Sequence, residues 1–267
     1  MPSLVKESVL RAVFQNHFFG HIMIDIQSLT KNFGSSRVLH DLNLHVPKCS
    51  VFGFLGPNGA GKSTAIKVLM GFIQACSGRI LVDGMDHRNV ACRRSLGYLP
   101  ENPSVYENLT ALECLAFCGR ASGIDRLGLS SRAIQILERV NLAQAAKNQV
   151  RTYSKGMKQR LGFAMALVHD PKLLVLDEPM SGLDPMGRRL ITDLILECRD
   201  QGRTVFFSSH ILSDVERLCD RIGIINHGRL LFEGRVEDFR LQGSLEDSFV
   251  ALIEADSRTR MGGEVSA

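Results

Sequence analysis

The segment Gly56-Pro57-Asn58-Gly59-Ala60-Gly61-Lys62-Ser63-Thr64 fits the pattern GxxxxGK[ST]. It lies between a short apolar run, Val51 to Leu55, and a stretch with helical patterning from about Ser63 to Phe72. A buried strand that turns through glycines into a helix is the opening unit of an α/β fold with parallel strands. Glycines at 56, 59 and 61 permit backbone angles that turn successive N–H groups inward, and the helix N-terminus adds partial positive charge at the same point. The segment is therefore built to hold an anion, and triphosphate oxygens are the expected occupants. Lys62 is placed to reach the β- and γ-phosphates as a point charge, the Ser63 hydroxyl is a hard oxygen ligand for Mg2+, and Thr64 can bond the α-phosphate.

A second apolar run, Leu173 to Leu176, ends abruptly in Asp177-Glu178. Carboxylates at the end of a buried strand are costly unless a cation or a proton transfer employs them. Alone, such a pair can be a turn or helix cap. Beside a phosphate loop in the same chain, Asp177 is expected to hold the magnesium and Glu178 to polarise the water that attacks the γ-phosphate. Ser208-Ser209-His210 follows the next apolar run, Val205 to Phe207, so the imidazole of His210 is expected at the same sheet edge as Glu178.

The rest of the chain fits around this core. Apolar residues alternate through Ile24 and Ile26 to Leu29, and again at Leu42, Leu44 and Val46, as in antiparallel strands with one wet face. From about Glu101 to His169 the patterning is helical, with Thr110 and Glu113 as a capping box and Ile134, Leu137 and Val140 as a helical stripe. A helix opens at Asp184-Pro185, a strand is expected at Ile222 to Ile225, and the Asn226-His227-Gly228 turn leads to a short further strand. The fold class is thus α/β: a mixed sheet core with an antiparallel β-subdomain and an inserted α-helical subdomain. Residues 1–22 read either as an amphipathic arm, with Val5, Val9, Val13 and Phe14 at helical spacing, or as a loose extension before the strand that begins near Met23. Residues 241–267 read as a helical tail with Leu245, Phe249, Leu252 and Ile253 on its pattern.

Of 267 residues, 45% are apolar, enough for a substantial core. The formal charge of +4 is spread along the chain, which speaks against nucleic acid as the main partner. Seven cysteines stand scattered without a CxxC pair, so neither a disulfide framework nor a zinc site is indicated and a reducing cytosol is expected. No apolar run reaches the roughly 18 to 20 residues that cross a bilayer, so any pore belongs to another polypeptide.

With these residues in view, Tyr153-Ser154-Lys155-Gly156-Met157-Lys158-Gln159-Arg160 resembles the signature segment of ABC ATPases, placed shortly before the Walker B strand that ends in Asp177-Glu178. By the same resemblance Ser181-Gly182-Leu183-Asp184 matches the D-loop, His210 the switch histidine, and Phe33 the aromatic that stacks on adenine. The match covers about 24–234, so residues 23–240 are expected to form one ABC-type P-loop NTPase domain with its helical subdomain at about 101–169. The resemblance implies an ATPase whose ATP, with Mg2+, is sandwiched between the phosphate loop of one copy and Ser154, Lys155, Gly156, Met157 and Asp184 of the other. It therefore implies a homodimer or a pairing with a closely related ATPase subunit. It also implies separate integral-membrane permease subunits, and a peripheral place on the cytoplasmic face of the membrane. Two departures stand out: Lys155 and Met157 replace the usual Gly and Gln, and Glu101 stands where the Q-loop glutamine is expected, close to the magnesium shell. Both variants resemble bacterial ABC-2-type exporters. A DNA or ribosome clamp of the same superfamily would carry long coiled coils or tandem cassettes, and a dead regulatory module would lack Lys62, Glu178 or His210; neither pattern is present.

Overall fold

The computed structural model describes residues 21–240 and 244–264, so the expectation for the N-terminal extension lies almost wholly outside the described residues. Strand β3 (Val51–Leu55), which feeds the glycine loop, is inside a six-stranded sheet of order β10-β9-β3-β8-β7-β6. Its two neighbours, β8 (Thr204–Ser209) and β9 (Arg221–Asn226), run parallel to it, and β7 (Leu173–Asp177) and β6 (Leu96–Leu99) extend the parallel arrangement outward. At the far edge β10 (Arg229–Arg235) pairs antiparallel with β9. Every residue of β3, β7 and β8 is buried, as parallel strands covered on both faces require.

Alternation along these strands supplies two separate cores. Phe52, Phe54, Leu173, Val175 and Phe206 point into one, and Val51, Leu55, Leu174, Leu176 and Phe207 into the other. The first core is closed by an antiparallel sheet of order β2-β1-β4-β5 and by helix α1 (Lys62–Leu69). This sheet is built from β1 (Ile22–Phe33), β2 (Ser36–Pro47), β4 (Ser77–Val82) and β5 (Met85–Asp86). Strand β1 departs from clean alternation because Asp25 is buried among its apolar neighbours, where it accepts from Gln27 Nε2 at 2.7 Å. Helix α1 stops three residues short of the expected Phe72, since Gly71 takes a left-handed φ of 71° and ends the helical run. A short helix, α2 (Val90–Arg94), leads into β6.

The second core lies under the helices. Between β6 and β7 come α3 (Ala111–Ala121), α4 (Arg126–Arg139) and α5 (Lys155–Leu167), interrupted by one isolated bridge between Thr110 and Gln149. The Thr110–Glu113 capping box forms as expected. The stripe on α4 is corrected: Ile134 is 48% exposed, and the buried face runs through Leu129, Ala133, Ile136, Leu137 and Val140. Leu137 and Val140 were one apolar choice of two at that spacing, and packing against α3 and α5 selected Ala133 rather than Ile134 as their neighbour. Helices α6 (Pro185–Asp200), α7 (Leu212–Leu218) and α8 (Val236–Phe239) and the head of α9 (Leu245–Glu264) complete this layer. Cys114 and Cys118 share α3, and burial raises both thiols above their ordinary range, which keeps them protonated. Among the described residues no cluster of three or more His, Cys, Asp or Glu forms a metal site, and no helix is long and apolar enough to cross a membrane.

Candidate functional site

The glycine loop is shaped by close backbone approach. A Cβ at Gly56 would sit 2.2 Å from the carbonyl oxygen of Ile225 on β9, so a larger residue there would push two strands apart. Gly61, with φ 108°, caps α1 in a left-handed conformation that disfavours any L side chain. Inside the turn the Lys62 ammonium donates to the carbonyls of Gly56 at 2.6 Å and Pro57 at 3.2 Å. Burial pushes this ammonium below its ordinary range, and the negative charges of Glu178, Asp177 and Glu101 oppose that shift. One buried cation thus faces three acids brought from distant parts of the sequence.

Glu101 and Glu178 border a cleft of about 420 Å3 lined also by Asn58 to Thr64, Val38 and His210. Asp177 lies beneath it, nearly buried, and accepts from Ser208 Oγ at 2.6 Å and from Ser63 Oγ at 3.4 Å. A hydroxyl and a carboxylate oxygen held this close are hard donors of the kind Mg2+ prefers, so the residues fit that ion. Because β7 and β8 are neighbours in register, with Asp177 opposite Ser208, the residues that follow emerge at one edge. Glu178 has a φ of 50°, a strained value for a non-glycine residue, and its N–H donates to Ser208 Oγ at 3.0 Å. The strained turn aims its carboxylate at His210, with Oε2 2.9 Å from Nδ1. On the β6 side the Tyr98 hydroxyl is pushed up to about 12 by burial and by the charge of Asp177.

A second cleft, about 490 Å3, shares no lining residue with the first. Ser154 caps α5 by accepting from the Met157 N–H at 3.2 Å, and Asp184 caps α6 by accepting from the Gly187 N–H at 2.8 Å. Two helix N-termini therefore converge here, with Lys155, Gly156 and Arg160 between them. The Lys155 side chain lies across Gly182, where a Cβ would come within 2.7 Å of Cε. Of the site residues expected from the sequence, Gly56, Pro57 and Asp177 lie behind the lining of the first cleft, and Met157 and Phe33 line neither cleft. The Met157 side chain packs half-buried against the second core, and Phe33, 51% exposed at the end of β1, has the Lys31 ammonium 4.9 Å from its ring centroid.

Residues 39–181, more than half the chain, match the family model described as ABC transporter. The chain belongs to the ABC transporter family. As an ABC ATP-binding subunit it is 46% identical over 202 residues to an uncharacterized ABC transporter ATP-binding protein of Synechocystis sp., an alignment that covers 75% of this chain and 57% of that relative's length. It is 39% identical over 211 residues to the lantibiotic transport ATP-binding protein SrtF of Streptococcus pyogenes, covering 79% of this chain and 90% of the relative. A solved ATP-binding subunit of an ABC transporter superposes with a TM-score of 0.81 at 31% identity, covering 86% of this chain and 99% of the other. The fold is the P-loop NTPase fold of ABC type, in accord with the class read from the sequence.

Several residues of this ABC subunit's two clefts escaped the sequence reading. Ser208 touches both acids, Val38 lines the first cleft, and Asn141 and Arg160 border the second, where Arg160 donates to the carbonyls of Val140 and Asn141 at 3.0 Å each. Ser208 was within reach: once β7 and β8 are taken as adjacent parallel strands, the residue opposite Asp177 must be the serine before Ser209-His210. Val38 and Asn141 carry no signal of their own type and become visible only through the fold.

Proposed function

We propose that this chain binds and hydrolyses ATP to power outward transport through separate membrane-spanning subunits, working as a pair of copies on the cytoplasmic face of the membrane. The observation that carries the reading is the presence on one chain of two polar clefts, the acid-and-lysine cleft at Glu178 and the double helix-terminus cleft at Ser154, with no lining residue in common. Head-to-tail pairing of two copies sets the first cleft of each against the second cleft of its partner, so each ATP is held from both sides. Within the first cleft the backbone of Gly56 to Thr64 and the Lys62 ammonium bind the phosphates. Glu178 accepts the proton of the attacking water, and His210 contacts the γ-phosphate while holding the Glu178 carboxylate in line. Ser63 and Asp177, with Glu101 at the shell, would hold Mg2+, which would neutralise developing phosphate charge. From the partner, the signature segment at Ser154, Lys155 and Gly156, with Met157 packed behind it, and Asp184 meet the triphosphate, while the chain's own Phe33 stacks on the adenine.

Nucleotide binding across the interface closes the pair and hydrolysis reopens it; the helical subdomain passes the motion to the permease. Transport accords with the name of the Streptococcus relative. Lys155, Met157 and Glu101 support the export branch. Glu178→Gln tests the chemistry: turnover is expected to fall by about two to four orders of magnitude while ATP stays bound. Undiminished turnover would remove Glu178 as the base.

A further inference from the structure

The last long helix, α9, is tied to the end of strand β9 by the side chain of Asp256. Strand β9 ends at Asn226, which is 98% buried, and the hairpin to β10 turns through His227 and Gly228, with φ of 44° and 75°; Asn226 pairs with Arg229 across it. Both central residues have positive φ, the geometry of a two-residue hairpin turn of type I′. This turn backs the phosphate loop. The Gly228 N–H donates to the Ala60 carbonyl at 2.8 Å, its carbonyl accepts from the His40 N–H at 2.9 Å, and a Cβ at Gly228 would lie 2.0 Å from the Val38 carbonyl. Ala60 and Val38 both line the first cleft. On the other side, the Asn226 amide donates through Nδ2 to Asp256 Oδ2 on α9 at 2.8 Å.

From this chain of contacts we infer that Asp256 is a positioning residue for nucleotide binding: it fixes Asn226, which fixes the 226–228 turn, which holds Ala60 and so the amide cradle of the phosphate loop. A hydrogen bond to a carboxylate is stronger than one between neutral groups, and it spans two elements distant in sequence. The inference rests on the nucleotide reading proposed above and adds to it a role for the C-terminal helix. The kinetic signature follows from geometry. Glu178 and His210 leave the same sheet edge from β7 and β8, with β3 between them and the β9 end that Asn226 occupies, so loosening the turn bears on the phosphate loop more than on those two side chains and weakens phosphate binding in ground state and transition state alike. Such a change raises KM and spares kcat.

The test uses the full-length chain with Asp256→Ala and Asp256→Asn. In Asp256→Ala the KM for ATP and the Kd for a fluorescent ADP analogue are expected to rise together by about three- to tenfold, with kcat within about twofold of the unaltered protein. The Asn side chain keeps an acceptor for Asn226 Nδ2, so Asp256→Asn is expected to restore both constants. Unchanged constants in Asp256→Ala would overturn the inference. So would a loss that follows the thermal midpoint and is not restored in Asp256→Asn, since that marks packing alone. If the unaltered protein binds neither nucleotide, the ATP reading itself falls and the inference with it.

Discussion

The two clefts are built on opposite principles. In the first, Lys62 is tied to two carbonyls, the Asp177 carboxylate to two hydroxyls, and Glu178 to His210 by its carboxylate and to Ser208 by its backbone N–H. Its floor is the buried ends of parallel strands, and its parts come from positions as far apart as Val38 and His210. The second is an outer surface made of two capped helix starts, where Met186 is 74% exposed and Lys155 reaches over a glycine. Donors and acids locked at the level of the core can bind and polarise a phosphate within one molecule. Helix termini at an open surface offer anion affinity to whatever docks against them. On the function proposed above, the first cleft does the binding and the chemistry, and the second, supplied by another copy, completes the site.

Three substitutions can break that division or sharpen it. Gly156→Glu places a carboxylate at the second cleft, and like charge against a docked triphosphate costs several kcal/mol, so hydrolysis is expected to fall at least about a hundredfold. Nucleotide affinity of the dilute monomer should not change, and a matching loss of affinity in calorimetry would abolish the distinction between the clefts. Lys62→Ala acts in reverse: removal of a charged donor should weaken ATP binding by the monomer about ten- to a hundredfold, and unchanged affinity would contradict the phosphate role of Lys62. The smallest effect is expected at Ser208→Ala, which strips one bond from Asp177 and leaves the Glu178 N–H without its partner. A loss of about tenfold in kcat with KM nearly constant would place Ser208 behind the chemistry. A rise in KM alone would place it with binding.

The first cleft was largely legible in the sequence because its residues sit at strand ends, and a strand end announces itself by an apolar run that stops. Val51 to Leu55 stops at the glycine loop, Leu173 to Leu176 at Asp177-Glu178, and Val205 to Phe207 at Ser208 to His210. Strands β4 and β6 carry no clear strand pattern, since β4 opens with exposed Ser77, Gly78 and Arg79 and β6 is four residues long. Neither offers a pattern that outweighs a loop. On α4 the error was one of phase: Ile134 and Ala133 are adjacent, and hydrophobicity alone favours the isoleucine although the packed face required the smaller residue. The tie from Asp256 to Asn226 could not be seen at all, because thirty residues of chain separate them and only the fold brings α9 beside the β9–β10 turn.

The central claim, that one chain holds two halves of different sites, is tested most directly by the mass of Glu178→Gln in solution, read by light scattering with Mg2+ and either ATP or ADP. The account predicts twice the monomer mass with ATP and the monomer mass with ADP, and it predicts that Gly156→Glu in the same background stays monomeric with both. A strictly monomeric protein that hydrolyses ATP at full rate, with no doubling of mass under ATP, would contradict it.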